Sequence, residues 1–144
     1  MALKLELKPG ERVILGDCVV TNDAQRTRLT IEGTVAILRE KDIMALSRAD
    51  TLAKRIYFAV QLMYTSKRPR DHHALYFRFV RKIVKAAPST LPYIESINNR
   101  ILTGELYKAL KEARKLIAYE KELLDYAHRN ESLRVRGQAD VKPT

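Results

Sequence analysis

The residues able to do covalent or metal chemistry are few and poorly spaced for it. His72 and His73 are adjacent, and neighbours on a helix point about 100° apart, so they do not share a metal ion as a pair one turn apart would. They read as the solvated start of a helix. Cys18 is the single cysteine and follows Asp17; a neighbouring carboxylate raises a thiol's pKa rather than activating it. The apolar run Cys18-Val19-Val20 makes it a small core residue, and with no second cysteine there is no disulfide framework, which fits a reducing cytoplasm. The glycines form neither GxGxxG nor a GxxxxGKS/T loop, and HExxH, CxxC and GxSxG do not occur. The expectation is a non-enzyme with no catalytic residue, no metal and no cofactor.

What remains is binding. Arg78, Arg81, Lys82 and Lys85 recur at spacings of three and four, which places them on one helix face with no acidic residue among them. Phe77 borders that face, either free to stack on an unpaired base or turned into the core. The chain carries a formal charge of +10, so an anionic partner is expected. Residues 1–66 hold 10 Lys and Arg against 8 Asp and Glu, whereas residues 67–130 hold 14 against 7. The basic character therefore sits in the second half.

The elements that must position these residues follow from periodicity. At 144 residues the chain has the length of one ordinary domain. Leu3, Leu5 and Leu7 alternate with Lys4, Glu6 and Lys8, the period of a half-buried strand. Pro9-Gly10 and Gly16-Asp17 separate further strands at Arg12 to Leu15 and Cys18 to Thr21. Arg28 to Ile31 and Val35 to Leu38 complete about five short strands in a small antiparallel sheet. Beyond Met44 the period becomes helical. Thr51 to Tyr64 is one helix, capped by Asp50 or Thr51, and His72 to Ala87 is a second, capped by Asp71 and stopped by Pro88. Leu91 to Leu102 is a third, started by Ser89 or Thr90 with Pro92, and Glu105 to His128 a fourth. The class is α+β: a β-rich half over residues 1–44, a bundle of about four helices over 45–130 and a flexible tail over 131–144. One packed domain or two subdomains fit this pattern equally. In the fourth helix, Leu106, Leu110 and Ile117 share an apolar stripe, first a core face and alternatively a surface for a second subunit or a helical partner. The charged start, Met1 to Glu6, is not a signal peptide, and no apolar run approaches the roughly 20 residues that span a bilayer. A cytoplasmic protein away from the membrane is expected.

Three stretches resemble a known family. Leu5-Glu6-Leu7-Lys8-Pro9-Gly10-Glu11 is similar to the opening LKPGE of the FlbT family, and Leu38-Arg39-Glu40-Lys41-Asp42-Ile43-Met44 to its central LREKDIM segment. Ala53-Lys54-Arg55-Ile56-Tyr57-Phe58 follows at a fitting distance, and Tyr107-Lys108-Ala109-Leu110, Arg114-Lys115-Leu116-Ile117 and Tyr119-Glu120 resemble the family's last helix. Residues 66–73 and the tail after Asn130 lie outside the likeness. The resemblance implies a post-transcriptional regulator of flagellum biogenesis that binds the 5′ untranslated region of flagellin mRNA and represses it by promoting degradation, opposed by a small helical partner, FlaF. Family-like position and charge together single out Arg39, Lys41, Lys54 and Arg55 for RNA contact, with Arg78, Arg81, Lys82 and Lys85 as a secondary basic face. The competing reading of Arg39-Glu40-Lys41-Asp42 is a local salt-bridge network, and Tyr57 and Phe58 read as core. From a different class of function, the chain is a protein-interaction module that binds FlaF or flagellin through a helical groove, and a homo-oligomer is compatible with either.

Overall fold

The computed structural model describes residues 2–140, with side chains through Ser132. Five strands precede four helices: β1 (Ala2–Leu7), β2 (Arg12–Leu15), β3 (Cys18–Thr21), β4 (Thr27–Glu32), β5 (Ile37–Arg39), then α1 (Leu52–Thr65), α2 (His73–Ala86), α3 (Leu91–Leu102) and α4 (Leu106–Asp140). The strands divide between two antiparallel sheets, β1-β4 and β3-β2-β5. The β2-β3 hairpin closes through Gly16-Asp17, with Leu15 opposite Cys18. Gly16 takes φ +63°, the left-handed conformation wanted at the first position of a type II′ turn. A Cβ there would meet the Val35 side chain at 2.9 Å.

Alternation along β2 and β5 explains how the sheets and helices are joined. Val13 is buried with Leu5 and Leu7, and Leu15 and Ile37 pack against them. Ile14 and Leu38 face the other way, into the helical core, because successive strand residues point to opposite faces. The three-stranded sheet is thus a middle layer between the β1-β4 pair and the helices. Leu5 and Leu7 are buried as the leucine alternation requires, whereas Leu3, nearer the strand end, is 42% exposed.

The helical core is built around α1. Ala53, Ile56, Tyr57, Ala59, Val60, Gln61 and Met63 are all buried, so this helix is covered on most of its circumference, by α2 and α4. Small residues make close approach possible: Ala53 and Ala59 on α1, and Ala109 and Ala113 on α4, are fully buried. Full burial of a side chain such as Ile56, Ile97 or Leu116 contributes about 1.5–3 kcal/mol. By contrast α2 buries only Tyr76 and Ile83, and its other side faces solvent.

Helix ends differ from expectation in two places. Thr51 caps α1 as anticipated, accepting from the Lys54 N–H at 3.2 Å. Asp71 does not cap α2: Pro69 starts a 3-10 turn over Pro69–His72 that takes up Asp71, and His72 occupies the cap position without a side-chain hydrogen bond. α4 continues to Asp140 rather than ending near His128, since no Gly or Pro interrupts residues 105–136. Of the tail expected over 131–144, residues 141–144 lie outside the described residues.

Candidate functional site

The segment between β5 and α1 is fastened to the helices by buried polar contacts. Asp42 sits in a 3-10 turn and is 7% exposed. Its carboxylate accepts from the Arg114 guanidinium of α4, and its backbone carbonyl accepts from the Tyr57 hydroxyl of α1. The Arg114 guanidinium also lies 5.9 Å from the centre of the Tyr57 ring, a cation-π contact. Burial holds the Tyr57 phenol above its ordinary pKa. Desolvation opposes the Arg114 charge, but hydrogen bonds to Asp42 and Tyr57 outweigh it, and its pKa stands above the ordinary value.

Two residues on, Gln61 bridges the same segment to α1. Its carbonyl oxygen accepts from the Met44 N–H at 2.7 Å and its amide donates to the Met44 carbonyl at 3.1 Å. Tyr64 treats β5 alike, accepting from the Ile37 N–H and donating to the Ile37 carbonyl. Glu120 of α4 accepts from the Ala53 N–H at 3.0 Å, satisfying an unpaired donor in the first turn of α1. The three stretches at Leu38 to Met44, Ala53 to Phe58 and Tyr107 to Glu120 therefore converge in space. The sequence reading missed Asp42, Gln61 and Arg114 as a junction. A carboxylate inside an otherwise solvated run and a Gln inside an apolar helix face were the available signals.

Beside this junction lies an open groove of about 440 Å³, lined by Arg39, Lys41, Asp42, Tyr64, Tyr107 and apolar residues of the sheet layer. The ring centres of Tyr64 and Tyr107 are 5.7 Å apart, and the Lys111 ammonium sits 5.1 Å from the centre of the Tyr107 ring. The local network considered for Arg39-Glu40-Lys41-Asp42 does not form. Glu40 pairs with Arg12 at 3.5 Å and Asp42 with Arg114, so among the described residues Arg39 and Lys41 have no carboxylate partner and are exposed.

Of the four cations singled out, Arg39 and Lys41 thus share a groove, and Lys54 and Arg55 do not line it. Lys54 pairs with Asp50 at 3.2 Å, which lowers the Asp50 pKa. Arg55 donates through Nε to the Ala49 carbonyl at 3.2 Å. On α2, Arg78, Arg81, Lys82 and Lys85 are all exposed, as is Phe77 at 45%. The α4 stripe is occupied by the chain's own core: Leu110 is buried, and Leu106 and Ile117 pack against the same cluster. Tyr57 is buried and Phe58 half-buried. Cys18 is exposed, which corrects its reading as a core residue: on β3 it and Val19 are both solvent-facing, and only Val20 packs inward. Among the described residues no cluster of three metal-binding side chains occurs, and no helix is long and apolar enough to cross a membrane.

A family model described as flagellar protein FlbT matches residues 3–124. A probable flagellum biosynthesis repressor protein FlbT 1 of Bradyrhizobium diazoefficiens is 60% identical over 124 residues, covering 85% of each chain. A probable flagellum biosynthesis repressor protein FlbT of Caulobacter sp. is 39% identical over 131 residues, 88% of this chain and 98% of that protein. The flagellum biosynthesis repressor protein FlbT of Caulobacter vibrioides is 37% identical over 131 residues, 88% of this chain and 92% of that one. No solved structure matches the chain. A match over nearly the whole of the described sheet-and-helix body makes this chain a member of the flagellar protein FlbT family.

Proposed function

We propose that this protein is a cytoplasmic, non-catalytic regulator of flagellum biogenesis that binds the 5′ untranslated region of flagellin mRNA and represses it by promoting degradation. Relatives named flagellum biosynthesis repressors support the regulatory role. The observation that carries RNA as the ligand is the groove in which Arg39 and Lys41 stand exposed without carboxylate partners beside two tyrosines and Lys111. Unpaired cations next to aromatic side chains are what a single strand needs, phosphates meeting the charges and unstacked bases meeting the rings. Lys54 and Arg55 lie outside this groove, at the start of α1; the Lys54-Asp50 pair is exposed, and such pairs contribute so little that a phosphate can replace the carboxylate.

The test is equilibrium binding of the protein to a flagellin leader RNA and a scrambled RNA at several salt concentrations. Preferential binding that weakens as salt rises, and that is lost when Arg39, Lys41, Lys54 and Arg55 are replaced by Gln, is the expected result. Equal binding to scrambled RNA, or none, overturns it.

One feature favours the second reading, a module that binds FlaF or flagellin. Leu102 is 83% exposed at a groove of about 380 Å³ whose other lining residues are Pro69, Arg70, His73, Ile101, Gly104 and Leu106. Binding centred on Leu102, Ile101 and Leu106 would depend on salt less than phosphate contacts do and would survive the four substitutions.

A further inference from the structure

The outer face of α2 lines none of the Arg39-Lys41 groove, yet it carries a row of four exposed cations. Its exposed residues are Ala74, Phe77, Arg78, Arg81, Lys82, Lys85 and Ala86. The helix contains no acidic residue, and among the described residues none of the four cations is within ion-pair distance of a carboxylate. From Arg78 to Lys85 the row extends about 10 Å along the axis, room for successive phosphates of one strand.

Phe77 supplies the second component. A large apolar side chain 45% exposed at the border of a basic row is not held there by core packing. Its aromatic neighbours meet it steeply, Tyr76 at 5.2 Å and 70° and His73 at 6.5 Å and 85°, so neither ring stacks parallel on it. Phe77 is the aromatic residue on this side with room for a planar base.

We infer that this face is a second RNA-binding site, which takes successive phosphates of a single strand on Arg78, Arg81, Lys82 and Lys85 and stacks one base on Phe77. It rests on the reading above only in taking RNA as the ligand. The chemistry favours a nucleic-acid strand over an acidic protein segment, because from Arg78 to Lys85 every exposed residue is a cation, Phe77 is a lone large apolar side chain at the border, and an associating protein needs a buried apolar centre. The site reads no sequence: phosphate contacts and stacking position a strand without distinguishing transcripts. Its consequence is two-point attachment, with transcript choice exercised at the groove and retention added at α2.

The experiment uses the full chain with a fluorescent, unstructured oligouridylate, measuring binding by anisotropy over a range of salt. Two variants are compared, the combined Arg78→Gln, Arg81→Gln, Lys82→Gln, Lys85→Gln and the single Phe77→Leu, each checked for unchanged circular dichroism. The first should flatten the slope of log affinity against log salt by about 3, four contacts at roughly 0.7 each. The second should weaken binding roughly tenfold with the slope unchanged. Oligouridylate binding unaltered by both variants overturns the site, as does polyglutamate bound as tightly as oligouridylate with Phe77→Leu neutral. The two readings fail separately. A groove-dependent preference for the leader with neutral α2 variants removes only this inference. Loss of oligouridylate binding in the α2 variants, without any leader preference in the parent protein, removes only the transcript-specific function.

Discussion

Arginine is used in opposite ways at two places in the helical half. At the junction, Arg114 is committed to folding: it meets a buried carboxylate 72 residues away in sequence, lies against the Tyr57 ring and holds the segment after β5 on the helices. On α2, Arg78 and Arg81 touch no carboxylate among the described residues and face water. The chain's excess charge is therefore not spread evenly. Where a cation is needed to satisfy a buried acid it is spent on structure, and where it is left unpaired it is available to a ligand. This divides the basic residues into a paired, structural set and an unpaired set more sharply than sequence spacing does.

The division is tested most severely at Arg114. Arg114→Ala leaves Asp42 buried without its partner, and a buried ion that loses its counter-ion is far costlier than the pair was worth. Because half of the Arg114 side chain is exposed, water reaches the site, and a loss of about 2 kcal/mol is expected. Chemical denaturation measures it. A loss within error of zero would place Arg114 among the free cations and break the comparison.

Gln61→Leu comes next. The substitution keeps the side chain's bulk in the α1 face but leaves the Met44 N–H and carbonyl without their partners. Unsatisfied, partly buried backbone groups should cost about 1–2 kcal/mol. Faster amide exchange confined to the stretch around Met44 would show that the effect is local detachment rather than general loosening.

A pH scan separates the regions in another way. The Tyr57, Tyr64 and Tyr76 phenols are all held above their ordinary pKa, each chiefly by burial. The folded chain keeps these protons where the unfolded chain has lost them. Their contribution to stability is therefore complete below about pH 10, the unfolded value, and is lost as pH rises toward the folded values. Alkaline unfolding should begin there, with phenolate absorbance rising together with loss of helix signal. Tyr57→Phe gives up the hydrogen bond to the Asp42 carbonyl and so lowers stability at neutral pH. It should nevertheless make the decline above about pH 10 shallower, whereas replacing the exposed α2 cations leaves the tyrosine part of that decline in place.

Much of the fold was legible because the signals are local. Leucine alternation located β1, Gly16-Asp17 the β2-β3 turn and Thr51 the start of α1, all set by neighbours a few residues apart. The division of the strands into two sheets was not legible, because pairing β1 with β4 and β2 with β5 depends on contacts no local period encodes. The Asp71 cap failed for a local reason, Pro69 having begun a tighter turn first. At the candidate site, spacing was enough for the α2 row, whose geometry is that of one helix. It was not enough for Arg39, Lys41, Lys54 and Arg55, whose grouping depended on how the segment after β5 folds. Family-like position grouped them, and the folded segment after β5 leaves only Arg39 and Lys41 of the four in the groove.

The smallest effect is also informative. Replacing Arg78, Arg81, Lys82 and Lys85 with Gln removes four like charges from one exposed face and no ion pair among the described residues. Exposed substitutions away from caps and cores stay within about 0.5 kcal/mol, and relief of repulsion along i, i+3 and i, i+4 pairs acts in the stabilising direction. Stability should therefore be unchanged or slightly raised, the gain visible at low salt and erased by screening at high salt. Denaturation at the two ionic strengths checks this. A clear loss of stability would mean that the α2 cations already have work inside the fold, and that the line between charges spent on structure and charges kept for a ligand falls elsewhere.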